Sequence, residues 1–238
     1  MLNNKINLSE VDKIGKISKE EKDFRIKNLN YFNDIGFPNK TYEDWKFTDL
    51  KEIFLKNFSK LNFNSTKSED KKIDLVKDFD HNYIITFNGE LAFENFQFED
   101  KGKIKIEPFK NNNFLNKKEA NPLINLNHAL SDKGYFLSID DNYKFKKVLI
   151  IYNIFTKNLY ENFLNQKNKI VIGKNSELHS IELTISKSKK KFFNNDYENL
   201  ELKESAVLKN IYIQNNRNDG YFHKSSNTKL FNNSSLSS

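Results

Sequence analysis

IVIGKNSELHSIEL, residues Ile170–Leu183, and LELKESAVLKNIYI, residues Leu200–Ile213, decide the fold. The two stretches align without a gap at an offset of thirty residues. Ile170 falls on Leu200, Ile172 on Leu202, Ser176 on Ala206, Leu178 on Leu208, Ile181 on Ile211 and Leu183 on Ile213. Each copy is an alternating apolar run, a short polar turn and a second apolar run. Fixed-period similarity with a two-residue alternation inside it marks a β-solenoid. The alternative is an antiparallel meander with two similar hairpins.

Outward from the repeat, Ser186–Lys191 (SKSKKK) separates the copies and reads as a solvated turn that protects a coil edge. The segment after Tyr221 is rich in Asn and Ser and shows no clear third copy, so NTKLFNNSSLSS is expected to be a polar tail and Val207–Gln214 an open last strand. Upstream, Tyr135–Ile139 and Lys147–Phe155 read as strands. Asn121–Ser131 reads as a helix, with Asn121 as cap, Pro122 in the first turn and Gly134 as its end. Tyr83–Phe87, Asn88-Gly89 and Glu90–Phe98 form a hairpin pattern, because both central turn residues need positive φ. Lys103–Ile106 is a further short strand. Leu61–Lys72 and Lys110–Lys118 are polar connectors.

Two helices open the chain. In Ser18–Ile35, Ser18 and Glu21 have capping-box spacing, Ile26, Leu29, Phe32 and Ile35 form a stripe, and Gly36 and Pro38 stop it. In Thr48–Phe58, Thr48 is the expected cap, and Leu50, Ile53, Phe54 and Phe58 share a face. The fold class is therefore α+β: a helical N-terminal region (1–60), a connector with a β-hairpin and short helix (61–134), then the first coils of an incomplete parallel β-helix with a polar tail (135–238).

The 238 residues suffice for a real core, and 37% hydrophobic content excludes a disordered composition. The net charge is +7, yet only Arg25 and Arg217 are arginine. Guanidinium forks are the commonest specific readers of guanine, so the charge favours weak, non-specific anion attraction. Cysteine is absent, which excludes disulfides, thiol nucleophiles and thiolate-held clusters built from this chain alone. No apolar signal core opens the chain, and Val148–Phe155, the longest apolar run, is far below the ~20 residues of a spanning helix. A soluble, cytoplasmic protein is expected.

A search for chemistry finds little. His81, His128, His179 and His223 share no metal-ligand spacing. His179 and Glu182 point to opposite faces of a strand. Asp140-Asp141 diverge for the same reason, and the glycines form no phosphate loop. Catalytic, cofactor-binding and metal residues are all read as none.

The turn between the first helices, GFPNKTYEDWKFTDL (Gly36–Leu50), holds the only Trp, which is expected to be buried. Thr41 and Asp44 are spaced as a capping turn. Gly36, Phe37, Pro38, Glu43, Asp44, Trp45, Lys46, Phe47, Thr48 and Leu50 resemble the signature of the SufD family, components of the SUF iron–sulfur cluster assembly machinery. Tyr83–Gly89 (YIITFNG) and Leu126–Phe136 (LNHALSDKGYF) resemble later segments of that family in the same order.

The resemblance implies a helical region followed by a right-handed, flattened β-helix, and a non-catalytic scaffold role. Its implied partners are SufB-like and SufC-like proteins, with the iron–sulfur cluster handled by the complex and no cofactor bound by this chain alone. It implies no specific nucleic acid, membrane or small-molecule substrate. Family members run to roughly twice this length, with further coils and C-terminal helices that dock SufC, so the chain reads as an N-terminal half that would not bind SufC by itself. Two other classes stay open: a basic, non-specific nucleic-acid binder, and a β-helix enzyme acting on polysaccharide.

Overall fold

The computed structural model describes residues 5–15, 17–63, 73–110, 119–215 and 219–238. Four α-helices, α1 (Ser9–Asp12), α2 (Lys19–Ile35), α3 (Leu50–Asn57) and α4 (Pro122–Leu130), pack beside two sheets. The strands are β1 (Asn82–Phe87), β2 (Glu90–Asn95), β3 (Ile104–Pro108), β4 (Tyr135–Ile139), β5 (Leu149–Phe155), β6 (Phe163–Ile172), β7 (Glu177–Ser186), β8 (Phe192–Leu202), β9 (Val207–Asn215), β10 (Gly220–Leu230) and β11 (Ser235–Ser237). One sheet runs β11-β9-β7-β5-β1-β2 and the other β10-β8-β6-β4-β3.

The register reproduces the sequence alignment. In the parallel β6–β8 pair Ile170 faces Leu200 and Ile172 faces Leu202. In the parallel β7–β9 pair Leu178 faces Leu208, Ile181 faces Ile211 and Leu183 faces Ile213. The copies are therefore stacked coils of a parallel solenoid, and an antiparallel meander is excluded. The chain alternates between the two sheets, so each coil turns every second side chain of one strand from each sheet inward. Ile170, Ile172, Leu178, Leu200, Leu202 and Leu208 fill the space between the sheets with Leu137, Ile139, Leu149 and Ile151.

The segment after Tyr221 departs from expectation: it forms a third coil. β10 pairs in parallel with β8 over all eleven of its residues, and β11 continues β9. Leu202 faces Leu230 and Leu208 faces Leu236, an offset of 28 rather than 30, which hides the repeat from a gapless comparison. The corner between the sheets explains how so polar a stretch still coils. Asn142, Asn175, Ser205 and Asn233 have φ of 58°, 56°, 58° and 57°. This left-handed conformation suits short polar side chains. Each corner also bonds the next, from Asn142 N to the Lys174 carbonyl, Asn175 N to Glu204 and Ser205 N to Asn232. β9 is consequently covered by β11 only over Val207–Lys209.

At the other end the solenoid is closed by antiparallel strands, β2 on β1 and β3 on β4. The Asn88-Gly89 turn is as expected, with φ of 49° and 84°, although the return strand stops at Asn95. β1 to β3 are thus built into the solenoid sheets, while residues 64–72 and 111–118, the bulk of the two polar connectors, lie outside the described residues.

The helices cover the outer face of the five-stranded sheet. Leu29, Phe32, Leu50, Phe54, Leu123 and Leu126 close over Phe163 and Phe193. Ser18 caps α2 by accepting from Glu21 N at 3.1 Å, and Gly36 ends it at φ 78°. The buried face of α2 carries Phe24, Arg25, Asn28, Leu29 and Phe32 rather than a stripe at threes, since a spacing of three drifts away from the 3.6-residue turn. Asp49, not Thr48, caps α3, accepting from Glu52 N at 2.8 Å. Thr41 donates to Asn39 instead of capping a turn with Asp44. α4 ends at Leu130, four residues before Gly134, which serves a close approach described below. Among the described residues no helix is long and apolar enough to cross a membrane.

Candidate functional site

The residues singled out by sequence are scattered by the fold. His179 is on the outer face of β7 and pairs with Glu177 at 2.8 Å, while Glu182 points inward, as alternation requires. His81 is bonded to the Phe79 carbonyl and the Tyr152 hydroxyl. Asp140 and Asp141 are exposed at a coil corner, where Asp141 accepts from Lys174 N at 2.7 Å. They line an open cleft of about 550 Å³ with Lys103, Gly173 and Lys203. The SKSKKK turn is less solvated than expected. Ser188 is fully buried, its hydroxyl accepting from Lys190 N and donating to nearby carbonyls.

Two clusters do assemble. The first lies between the sheets toward the β10 end. Lys224 on β10 reaches Glu182 at 2.7 Å, Glu198 at 3.0 Å and Asp196 at 3.8 Å. Tyr212 donates to Glu198, Asn153 to Glu182 and Asn168 to Asp196. All three carboxylates are at least 95% buried. Burial pushes the Asp196 carboxyl up to about 8 despite the neighbouring ammonium, and burial likewise raises Glu182. The three carboxylates hold Lys224 firmly as an ammonium against the cost of its own burial. The strand parity that puts Leu178 and Leu200 inward also puts Glu182 and Glu198 inward. That signal was present in the sequence, but coil stacking was needed to bring β10 alongside.

The second cluster lies where the helices meet the outer face of the five-stranded sheet. Asn127 on α4 donates to the carbonyls of Gln166 and Asn195 at 2.8 and 3.0 Å, clasping two adjacent coils. Asn195 donates in return to the Leu123 carbonyl, and its Oδ1 accepts from His223 Nδ1 at 2.9 Å. His223, whose imidazole is pushed down to about 4 by burial, lies with its ring 5.5 Å from that of Trp45. Trp45 is half-buried rather than buried; it packs on the cluster between the helices and the five-stranded sheet, with its ring against His223 of the third coil. Deeper in, Lys167 donates to His128 Nδ1 at 3.1 Å beside Arg25.

Chemically, the first cluster is a buried ion cage of one ammonium among three carboxyl groups. Among the described residues no group of three or more His, Asp or Glu is placed to hold a metal ion. The second cluster is made of amide and imidazole ties between helix and coil. No protein-family model matches the chain, and no curated protein matches it.

Proposed function

We propose that the chain is a SufD-like, non-catalytic scaffold of iron–sulfur cluster assembly in the cytoplasm, working with SufB-like and SufC-like partners. On this reading the cluster is cargo of the complex, and the chain's contribution is a rigid, coiled surface. The observation that carries it is the role of the residues in the three resembling segments. Each sits where the fold makes a stringent demand. Gly36 ends α2 at positive φ, and Phe37 packs between the rings of Phe32, Phe54 and Phe163. Trp45 lies on coil three at His223. Asn88 and Gly89 turn the capping hairpin, and the Asn88 amide bonds Thr156 in both directions. Asn127 clasps two coils, and Leu126 and Ala129 are fully buried. Two of these segments thus meet at the joint between the helical layer and the solenoid, and the third closes the solenoid's end.

Co-expression with SufB-like and SufC-like proteins tests this reading. Co-purification of the chain with the SufB-like protein, weakened by Trp45→Ala, is the expected result. A folded chain that associates with neither, at micromolar concentrations and with or without ATP, would reject it.

A further inference from the structure

We propose that the docking of the helical layer onto the solenoid is a proton-sensitive joint whose sensing group is the buried amine of Lys167. This goes beyond the scaffold reading and does not depend on it.

Lys167 projects from the outer face of β6 into the seam beneath α2 and α4, and the residue is only 7% exposed. Its Nζ donates to His128 Nδ1 at 3.1 Å, and the rings of Phe109 and Tyr197 lie 5.6 Å away. Among the described residues no carboxylate pairs with it. Glu21 on α2, whose charge favours the ammonium, is already taken by Arg25, at 2.9 Å to Nε and 2.8 Å to the second guanidinium nitrogen. The other arm of Arg25 donates to the carbonyls of Ala129 and Ser131 at the end of α4. The seam therefore holds two basic side chains for one carboxylate. The remaining neighbours do not redress this. His128 from α4 is neutral, Tyr197 from β8 is an un-ionised phenol, and Asp132 and Lys133, on the loop whose backbone bonds Lys167 N, carry opposite formal charges. Burial and the Arg25 guanidinium push the Lys167 amine down to about 7.

The consequence is a linkage. With the layer docked, the amine releases its proton near neutrality. With the layer lifted, Lys167 is in water and keeps its proton up to about pH 10.4. Between those values the lifted state binds one more proton than the docked state, so each unit fall in pH favours lifting about tenfold. Below the docked value both states are protonated and this effect is flat.

The geometry also accounts for the neutral partner. A carboxylate at His128's position would hold the ammonium charged and remove the response, whereas an imidazole accepts a bond from either form of the amine.

The test is a side-chain NMR titration of selectively labelled lysine in the intact chain, with Lys167→Met used to assign the signal. A midpoint for Lys167 within about one unit of 7 is expected; a midpoint above about 9.5, in the range of a solvated lysine, overturns the proposal. Urea unfolding of both forms, followed by Trp45 emission, supplies the functional arm. The wild-type chain minus Lys167→Met should gain about tenfold in folding constant per pH unit from about 7.5 to 9.5. Parallel pH dependences in the two forms would overturn the linkage. Should Lys167→Met fail to fold, Lys167→Gln serves the same comparison, and the titration midpoint decides alone.

Discussion

Gly134 has φ of 126°, and a Cβ there would lie 1.9 Å from the Lys167 carbonyl oxygen. The sequence suggested a helix end; the structure gives a backbone-to-backbone crossing that no side chain fits. Gly134→Ala is expected to cost ~3 kcal/mol or more, from clash plus backbone strain, measured by urea unfolding. Trp45 teaches the opposite lesson. An isolated Trp in an apolar context suggests a core anchor, worth ~3–5 kcal/mol on truncation. Its half-buried position against His223 lowers the expected cost of Trp45→Ala to ~2 kcal/mol, with a larger effect on partner binding than on folding. Whether a ring is covered depends on what packs over it, and here the cover is β10, more than 170 residues further along the chain.

At the scale of elements, the coils owe their stacking to aliphatic ladders at one end of the lumen and to an ion cage at the other. Lys224→Met removes the one cation from a buried group of three carboxyls, and the expected loss is ~3 kcal/mol near neutral pH. Lowering the pH should recover part of it as the carboxylates protonate, a reversal that a purely packing defect would not show. Asp196→Asn probes the same cage with the opposite sign. Because the folded-state carboxyl is raised to about 8, the folded chain holds a proton that the unfolded chain releases near 4, and wild-type stability falls as pH rises between those values. Asp196→Asn is expected to remove that fall, so thermal unfolding at about pH 8 should favour the variant while the two forms agree near pH 4. The inward placement of Glu182 and Glu198 was legible from alternation. Their company was not, since Lys224 arrives through a coil whose offset of 28 breaks the simple repeat.

For the whole molecule, the two ends differ. Antiparallel strands close one, while β10 and most of β9 leave the other open. Ile211 and Ile213 on the outer face of β9 are 58% and 47% exposed, beside the half-covered Ile181 and Leu183. An open strand with apolar residues invites self-association. The double substitution Ile211→Lys and Ile213→Lys should leave unfolding free energy within about 0.5 kcal/mol of wild type and reduce concentration-dependent light scattering. Unchanged scattering would show that this face does not drive association.

The sequence by itself determined the parity of each strand, the capping of α2 and α4, and the Asn88-Gly89 turn. These are set by contacts within a few residues, where side-chain shape and backbone preference act directly. Its alternating pattern also determined that Ile170 and Leu200 would share a face. Tertiary structure decided the third coil, the half-burial of Trp45, and the two charged clusters. Those rest on partners far apart in the chain, 26 residues for Lys224 with Glu198, 104 for Arg25 with Ala129, and further still for Trp45 with His223. Only when coils stack and helices close over them is water removed, and it is the loss of water that turns ordinary lysines and carboxylates into strongly coupled groups.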